Sequence, residues 1–194
     1  NRIVENVRKN GDSAVMDYVN QFDAPNLDID ALKVTKDEFS KASRQLDRSF
    51  RRALNRAVKQ ITGFHQNQSQ HSWIDTHRPG PMLGQMIHPV DVAGVYVPGG
   101  TGGNTPLVSS VLMGAIPAKI AGVKEIVMAT PPRPDGSIHP YLLAAAHKVG
   151  VKTVFKMGSA WAIAAMAHGT ATIPRVDVIV GPGNIYVTLA KKIV

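Results

Sequence analysis

The chain has 194 residues, of which 44% are hydrophobic and 19% charged, a composition typical of one or two globular domains. Cysteine is absent, which excludes a disulfide framework and thiolate chemistry. The formal charge of +8 raises the question of a nucleic-acid partner. No apolar run approaches the roughly 20 residues of a membrane-spanning helix, and no signal peptide is visible, so we expect a cytoplasmic protein without a membrane partner.

The first part of the chain predicts helices. Apolar residues recur at helical spacing over 2–22, with a break at an Asn-Gly-Asp tripeptide in the middle. An extended piece is predicted over 31–34. A long helix is predicted over 35–66, because Thr35 and Glu38 form the signature of a capping box.

Seven basic residues lie within this predicted helix, mostly at spacings of three and four, which place most of them on one flank of it. They are Lys41, Arg44, Arg48, Arg51, Arg52, Arg56 and Lys59. The opposite flank is apolar. A base-stacking platform requires aromatic residues among the charges, and none stands there. We interpret the basic flank as a solvated helix face and expect no nucleic acid, with a nucleic-acid-binding module as the alternative.

After residue 91 the sequence alternates between short β-branched runs and helical segments. Strands are predicted at 93–97, 125–129, 153–156 and 177–180, after two short ones at 73–75 and 84–88. Helices are predicted at 106–121, 140–148, 159–168 and 184–194. This order is typical of α/β folds and predicts an incomplete Rossmann-like parallel sheet with flanking helices over 92–194. The helical segment 1–91 is assigned to a second α/β domain, completed by sequence outside this chain.

Capping residues are predicted at several helix ends. Thr105 and Asn184 are candidate N-caps, and Pro106 and Pro140 suit the first turn of a helix. Glycines just after a helix favour a left-handed C-cap, and three occupy such positions: Gly122, Gly150 and Gly169.

Two glycine-proline turns, each directly after an apolar strand, give the strongest functional indication. They read Pro-Gly-Gly at 98–100 and Gly-Pro-Gly-Asn at 181–184. A turn with few Cβ atoms lets backbone N–H groups approach a phosphate, and ligands of parallel sheets bind beyond the carboxyl ends of the strands. Neither turn has the G-x-G-x-x-G pattern, so the turns alone are a modest indication of a nucleotide site.

Five residues at these turns are candidate cofactor contacts. Tyr96 offers an aromatic face and a hydroxyl group at a strand end. Gly99, Gly100 and Gly183 present bare backbone. Asn184 offers a polar side chain at a helix start. For each of them an ordinary structural role is the alternative: a strand-end tyrosine, a turn glycine or a helix cap.

The seven histidines form no compact cluster with carboxylates and no pair with metal-ligand spacing. We therefore predict a surface or core role for each histidine and assign none of them as a metal ligand.

Four linked segments resemble the N-terminal half of histidinol dehydrogenases. They are 94–100, 115–123, 162–170 and 173–184. The resemblance covers the whole chain and is closest from about Gln85 onward. It implies a homodimeric enzyme of histidine biosynthesis that contains zinc and uses two NAD molecules to oxidise L-histidinol through the aldehyde to L-histidine. A related zinc- and NAD-dependent dehydrogenase of another polar alcohol is the alternative.

The resemblance implies NAD contacts at Tyr96 and Asn184, which both match the family pattern. A third contact in the family is a glutamine within Gly-Gly-Ala-Gln, whereas residues 158–161 read Gly-Ser-Ala-Trp. Trp161 therefore either stacks on the cofactor or packs at the edge of a helix. The loop at 101–105 also looks longer than its family counterpart.

The resemblance places the zinc ligands, a Glu-His catalytic pair and most substrate contacts beyond Val194. Because Asn1 is not an initiator methionine and the last helix has no C-terminal cap, we expect the chain to be a fragment. Such a fragment is expected to supply the cofactor platform and to be inactive alone.

Overall fold

The computed structural model describes residues 1–77, 80–100 and 105–194. Its strands are β1 (Trp73–Asp75), β2 (Leu83–Gln85), β3 (Val92–Tyr96), β4 (Glu125–Thr130), β5 (Thr153–Lys156) and β6 (Val178–Val180). The last four form a sheet of order β5-β4-β3-β6 in which all neighbours are parallel, and β1 pairs with β2 in a separate antiparallel hairpin. The predicted α/β fold with a parallel sheet is confirmed, and the predicted strand bounds differ by a few residues.

Helices cover both faces of the sheet. They are α1 (Arg2–Tyr18), α2 (Ile29–Leu32), α3 (Lys36–Arg44), α4 (Arg48–Gln66), α5 (Val108–Ile120), α6 (Pro140–Val149), α7 (Ser159–His168) and α8 (Ile185–Ile193). A π-helical turn, Val19–Asp23, continues α1. This turn ends at the carboxyl edge of the sheet, where the candidate site lies.

The hydrophobic core has two parts, one on each face of the sheet. On one face, residues of α1, α7 and α8 pack with Tyr96 and Phe155. On the other, residues of α3 to α6 pack with Val95 and Val154. Successive side chains of a strand point to opposite faces, and both faces of this parallel sheet are covered, so the strands are apolar apart from polar residues at their ends. Residues before 92 thus contribute helices to both faces, and the predicted domain division at residue 91 stays a prediction.

The predicted break in α1 is confirmed at Gly11, which has φ 54° and ψ −130°. The extended piece predicted over 31–34 is wrong in its first half, because Ala31 and Leu32 lie in α2. Its second half is extended: the Val34 N–H donates to the Val154 carbonyl of β5 at 2.9 Å. This short connection ties the N-terminal helices to the sheet edge.

The single helix predicted over 35–66 is wrong, since α3 and α4 are separate. The capping box that opens α3 is confirmed, with both the Thr35 and Glu38 hydrogen bonds present. Asp47 starts α4 by accepting the Phe50 N–H at 2.8 Å. Hydrogen bonds from Ser49, the Phe50 backbone and Tyr141 lower the pKa of this carboxyl group. A residue that caps a new helix cannot continue the previous one, which explains the break.

The seven basic residues 41–59 are exposed on α3 and α4, as a solvated face requires. Among the caps, Asn184 is confirmed, because its Oδ1 accepts the Val187 N–H at 3.1 Å. The prediction for Thr105 and Pro106 is wrong: α5 begins at Val108 after Leu107. The three glycines predicted as left-handed C-caps all have positive φ, but Gly169 has ψ 156° and does not adopt the left-handed helical conformation.

Candidate nucleotide site

A cleft of about 430 Å³ opens beyond the carboxyl ends of the parallel strands. Four of the five candidate residues line it: Tyr96, Gly99, Gly100 and Asn184. The remaining lining is apolar apart from two polar side chains and consists of Phe22, Asp23, Pro98, Pro131, Pro132, Pro134 and Ser159. The structure therefore brings both predicted turns to one concave site. The loop 101–104, noted in the sequence, lies outside the described residues.

The second turn crosses directly over the end of β3. Gly181 has φ +115°, and a Cβ atom there would lie 2.0 Å from the Tyr96 carbonyl oxygen. Lys191 of α8 donates a hydrogen bond to the Gly181 carbonyl at 2.6 Å, and burial lowers the pKa of this lysine. Only glycine fits here, so the close approach of the two turns depends on this residue.

Gly183, the fifth candidate, is not part of the cleft lining. A Cβ atom there would lie 2.3 Å from Val187 Cγ1. Its lack of a side chain permits the first turn of α8 to pack closely. A cofactor contact at Gly183 stays a prediction.

The hydroxyl group of Tyr96 is held in a defined orientation. Tyr96 is only 3% exposed, and its hydroxyl oxygen accepts the Ser159 N–H at 3.0 Å. Burial, with a smaller contribution from the nearby Asp23 charge, raises the pKa of Tyr96 to about 12. The hydroxyl group thus stays protonated near neutral pH, and its own hydrogen remains available to donate to a ligand.

Asn184 combines two roles at the start of α8. Its side-chain oxygen is engaged as the N-cap, which leaves its amide N–H groups without a partner among the described residues. Because a helix N-terminus favours negative charge, this corner of the cleft suits a phosphate group.

Asp23 is a site residue that the sequence did not reveal. Its Oδ2 accepts the Gly158 N–H at 2.9 Å and the Trp161 Nε1–H at 3.0 Å. Burial raises the pKa of Asp23 to about 6, although both hydrogen bonds act in the opposite direction. The partners lie 135 and 138 residues away in sequence, so no local pattern links them.

Trp161 lies beneath the cleft. It is 6% exposed, and its ring stacks on Tyr18 at 5.7 Å and on Phe22 at 5.5 Å. Its position supports the packing alternative over stacking on a cofactor.

Comparison with known proteins matches this chain over its full length to one family. The sequence profile of histidinol dehydrogenase matches residues 1–194. The chain belongs to the histidinol dehydrogenase family. It is 53% identical over 192 residues to histidinol dehydrogenase of Desulfotalea psychrophila, covering 99% of this chain and 44% of that protein. Histidinol dehydrogenase of Bacillus subtilis is 49% identical over 190 residues, covering 98% and 43%.

A solved structure gives the same result for the fold. The crystal structure of histidinol dehydrogenase from Elizabethkingia anophelis matches with a TM-score of 0.91 and 37% identity, over 99% of this chain and 43% of that one. This member of the histidinol dehydrogenase family therefore spans less than half the length of the relatives it matches.

Two properties of the described part of this histidinol dehydrogenase family member concern metal binding and membrane crossing. Within residues 1–77, 80–100 and 105–194, no group of three or more histidine or carboxylate side chains could hold a metal ion. In the same part of the chain, no helix combines the length and apolar character needed to cross a membrane.

We expect Asp23 to make stability pH-dependent. Because its pKa is about 6 in the folded chain against 3.8 normally, the folded state binds more protons between these values. Stability therefore falls as pH rises from about 4 to 7, by about 2 kcal/mol. Asp23→Asn should remove this slope, measured as the difference in unfolding free energy between wild type and variant at pH 4 and pH 7. An unchanged slope would show that the carboxyl group titrates normally.

Proposed function

We propose that this chain supplies the NAD-binding part of a cytoplasmic histidinol dehydrogenase, which oxidises L-histidinol through the aldehyde to L-histidine in histidine biosynthesis. The observation that carries the proposal is the convergence of Tyr96, Gly99, Gly100 and Asn184 on one cleft at the carboxyl edge of a parallel sheet, in a chain of this family.

The chemistry of the residues that line the cleft suits a dinucleotide. Glycines 99 and 100 let the backbone approach a pyrophosphate, and Asn184 marks a helix N-terminus that favours its charge. Tyr96 offers an O–H donor, while Phe22 and the prolines offer an apolar wall for a ring. NAD, when bound, supplies the acceptor for hydride. The residues of this chain bind and orient it.

The remaining parts of the reaction are proposed to come from outside this chain. We propose that the zinc ligands and the catalytic bases lie beyond Val194, as the family resemblance implies. Substrate contacts and the homodimer interface are proposed to involve that portion as well. We further propose that residues 92–194 form the NAD-binding domain and that residues 1–91 belong to a second domain completed there.

NADH formation from L-histidinol by the complete gene product tests this function. Turnover that a zinc chelator abolishes and added zinc restores would support it. A folded, zinc-loaded protein that binds NAD without oxidising L-histidinol would contradict it. Turnover of another polar alcohol under these conditions would identify a related dehydrogenase, and salt-sensitive nucleic-acid binding independent of NAD would favour the basic module.

We expect Tyr96→Phe to raise the dissociation constant for NAD about tenfold, because it removes one donor to the ligand and leaves the Ser159 N–H without its acceptor. Isothermal titration of the complete gene product with NAD measures the change. Tyr141→Phe is the matched control, since it removes a hydroxyl group bonded to Asp47 outside the cleft. Equal affinities of wild type and Tyr96→Phe for NAD would show that the Tyr96 hydroxyl group does not bind NAD.

A further inference from the structure

The carboxylate of Asp23 is held rigidly at the wall of the cleft. One oxygen, Oδ2, accepts hydrogen bonds from the Gly158 backbone and the Trp161 indole. The indole is itself fixed by packing against the rings of Tyr18 and Phe22, which also contact each other. A Cβ atom at Gly158 would lie 2.9 Å from Asp23 Oδ1, so only glycine leaves room for the carboxylate in this position. A side chain locked in this way has the preorganisation of a recognition residue.

The second oxygen, Oδ1, is open to a ligand. It accepts no hydrogen bond from the described residues, and it is not among the buried polar atoms that lack a partner. Besides Tyr96, Asp23 is the only ionisable side chain among the described residues that line the cleft. Its free oxygen is therefore the one negatively charged acceptor that these lining residues offer to a ligand.

The surroundings of Oδ1 suit a nucleoside. Phe22, next to Asp23, is 60% exposed at the cleft, and Pro131 lies close by, since a Cβ atom at Gly158 would be 2.8 Å from Pro131 Cβ. A flat base packs well on such an apolar wall. The sugar attached to that base then lies within reach of the carboxylate.

We propose that Asp23 Oδ1 accepts a hydrogen bond from the 2′-hydroxyl group of the adenosine ribose of NAD and that the carboxylate excludes the 2′-phosphate of NADP. Carboxylates read this hydroxyl group in other dinucleotide-binding folds, where they follow the glycine-rich turn closely in sequence. Here the acid comes from the π-helical turn after α1, which precedes both glycine turns in sequence. The inference rests on the proposed function, because it requires NAD in this cleft.

Titration of the complete gene product with NAD, NADP and NAD lacking the adenosine 2′-hydroxyl group tests the proposal. We expect wild type to bind the deoxy analogue about tenfold more weakly than NAD and NADP about 100-fold more weakly. Asp23→Asn should reduce the preference for NAD over NADP at least tenfold, because it removes the negative charge that opposes the 2′-phosphate. Asp17→Asn, the same charge change at an exposed position of α1, should leave both ratios unchanged.

Two outcomes would overturn the inference without touching the proposed function. Equal affinity of the wild type for NAD and its deoxy analogue would by itself refute the inference. An Asp23→Asn variant that loses affinity for NAD and NADP in equal proportion would give Asp23 a structural role only. If wild type binds neither dinucleotide, the proposed function fails together with the inference.

Discussion

Replacing Gly181 by alanine is expected to destabilise the fold by about 3 kcal/mol and to abolish NAD binding. The new Cβ atom would lie 2.0 Å from the Tyr96 carbonyl oxygen, in a backbone conformation of φ +115° that side chains rarely adopt. Neither problem is relieved by a side-chain rotation, because the clash is with backbone. The turn must move off the end of β3, and the cleft then loses its shape.

Denaturant unfolding and NAD titration of the complete gene product measure both effects. Gly63→Ala is the matched control, since Gly63 lies within α4 and a Cβ atom there meets nothing within 4 Å. That change is expected to stabilise the protein by up to about 1 kcal/mol. Wild-type stability and affinity in Gly181→Ala would show that the turn does not depend on glycine.

Glu38→Gln is expected to cost about 3 kcal/mol, because it leaves a buried lysine without its counter-charge. Lys156 at the end of β5 has a side chain only 7% exposed, and its Nζ lies 2.7 Å from Glu38 Oε1. This expected loss of stability is at the low end of the range for broken buried ion pairs, because the Glu38 side chain is 29% exposed and is partly hydrated. The pair joins α3 to the sheet, so we expect the N-terminal helices to loosen first.

A double-mutant cycle with Lys156→Met isolates this interaction. The double variant should be more stable than Glu38→Gln alone, because no unpaired charge remains. Glu5→Gln is the control: its partner Arg8 is 3.7 Å away and both side chains are mostly exposed, so a change within about 0.5 kcal/mol is expected. A coupling energy below about 0.5 kcal/mol for Glu38 and Lys156 would contradict the prediction.

The same pair has a defined pH dependence. Burial raises the pKa of Glu38, but hydrogen bonds from Lys156 and Thr35 outweigh this effect, and the net shift is downward from 4.5. The stability that the pair contributes is therefore fully present above pH 4.5 and is lost as pH falls through the lower, folded-state pKa.

The parallel sheet was predictable because its signals are local. Each strand of the sheet is a short, mostly apolar run with a glycine or proline within the next two residues, and a helical pattern follows each of these turns. The break between α3 and α4 was missed because it depends on Asp47. A single acidic residue among many polar ones gives no distinctive pattern, yet its hydrogen bond to Phe50 starts a new helix.

The candidate site was predictable only in part. Tyr96, Gly99, Gly100 and Asn184 were predictable because turn chemistry and strand position indicate the same edge of the sheet. Asp23 was not, since it reaches the site through contacts with Gly158 and Trp161 that only tertiary packing creates. The sequence supports both alternatives for Trp161 for the same reason, because its position does not tell whether its ring faces the cleft or the core.

A crystal structure of the complete gene product with NAD bound tests the proposed site most directly. We predict that the dinucleotide occupies the cleft beyond β3, with its polar groups in contact with Tyr96 and Asn184 and its pyrophosphate over Gly99 and Gly100. NAD bound elsewhere, with Tyr96 and Asn184 free of contact, would contradict the assignment.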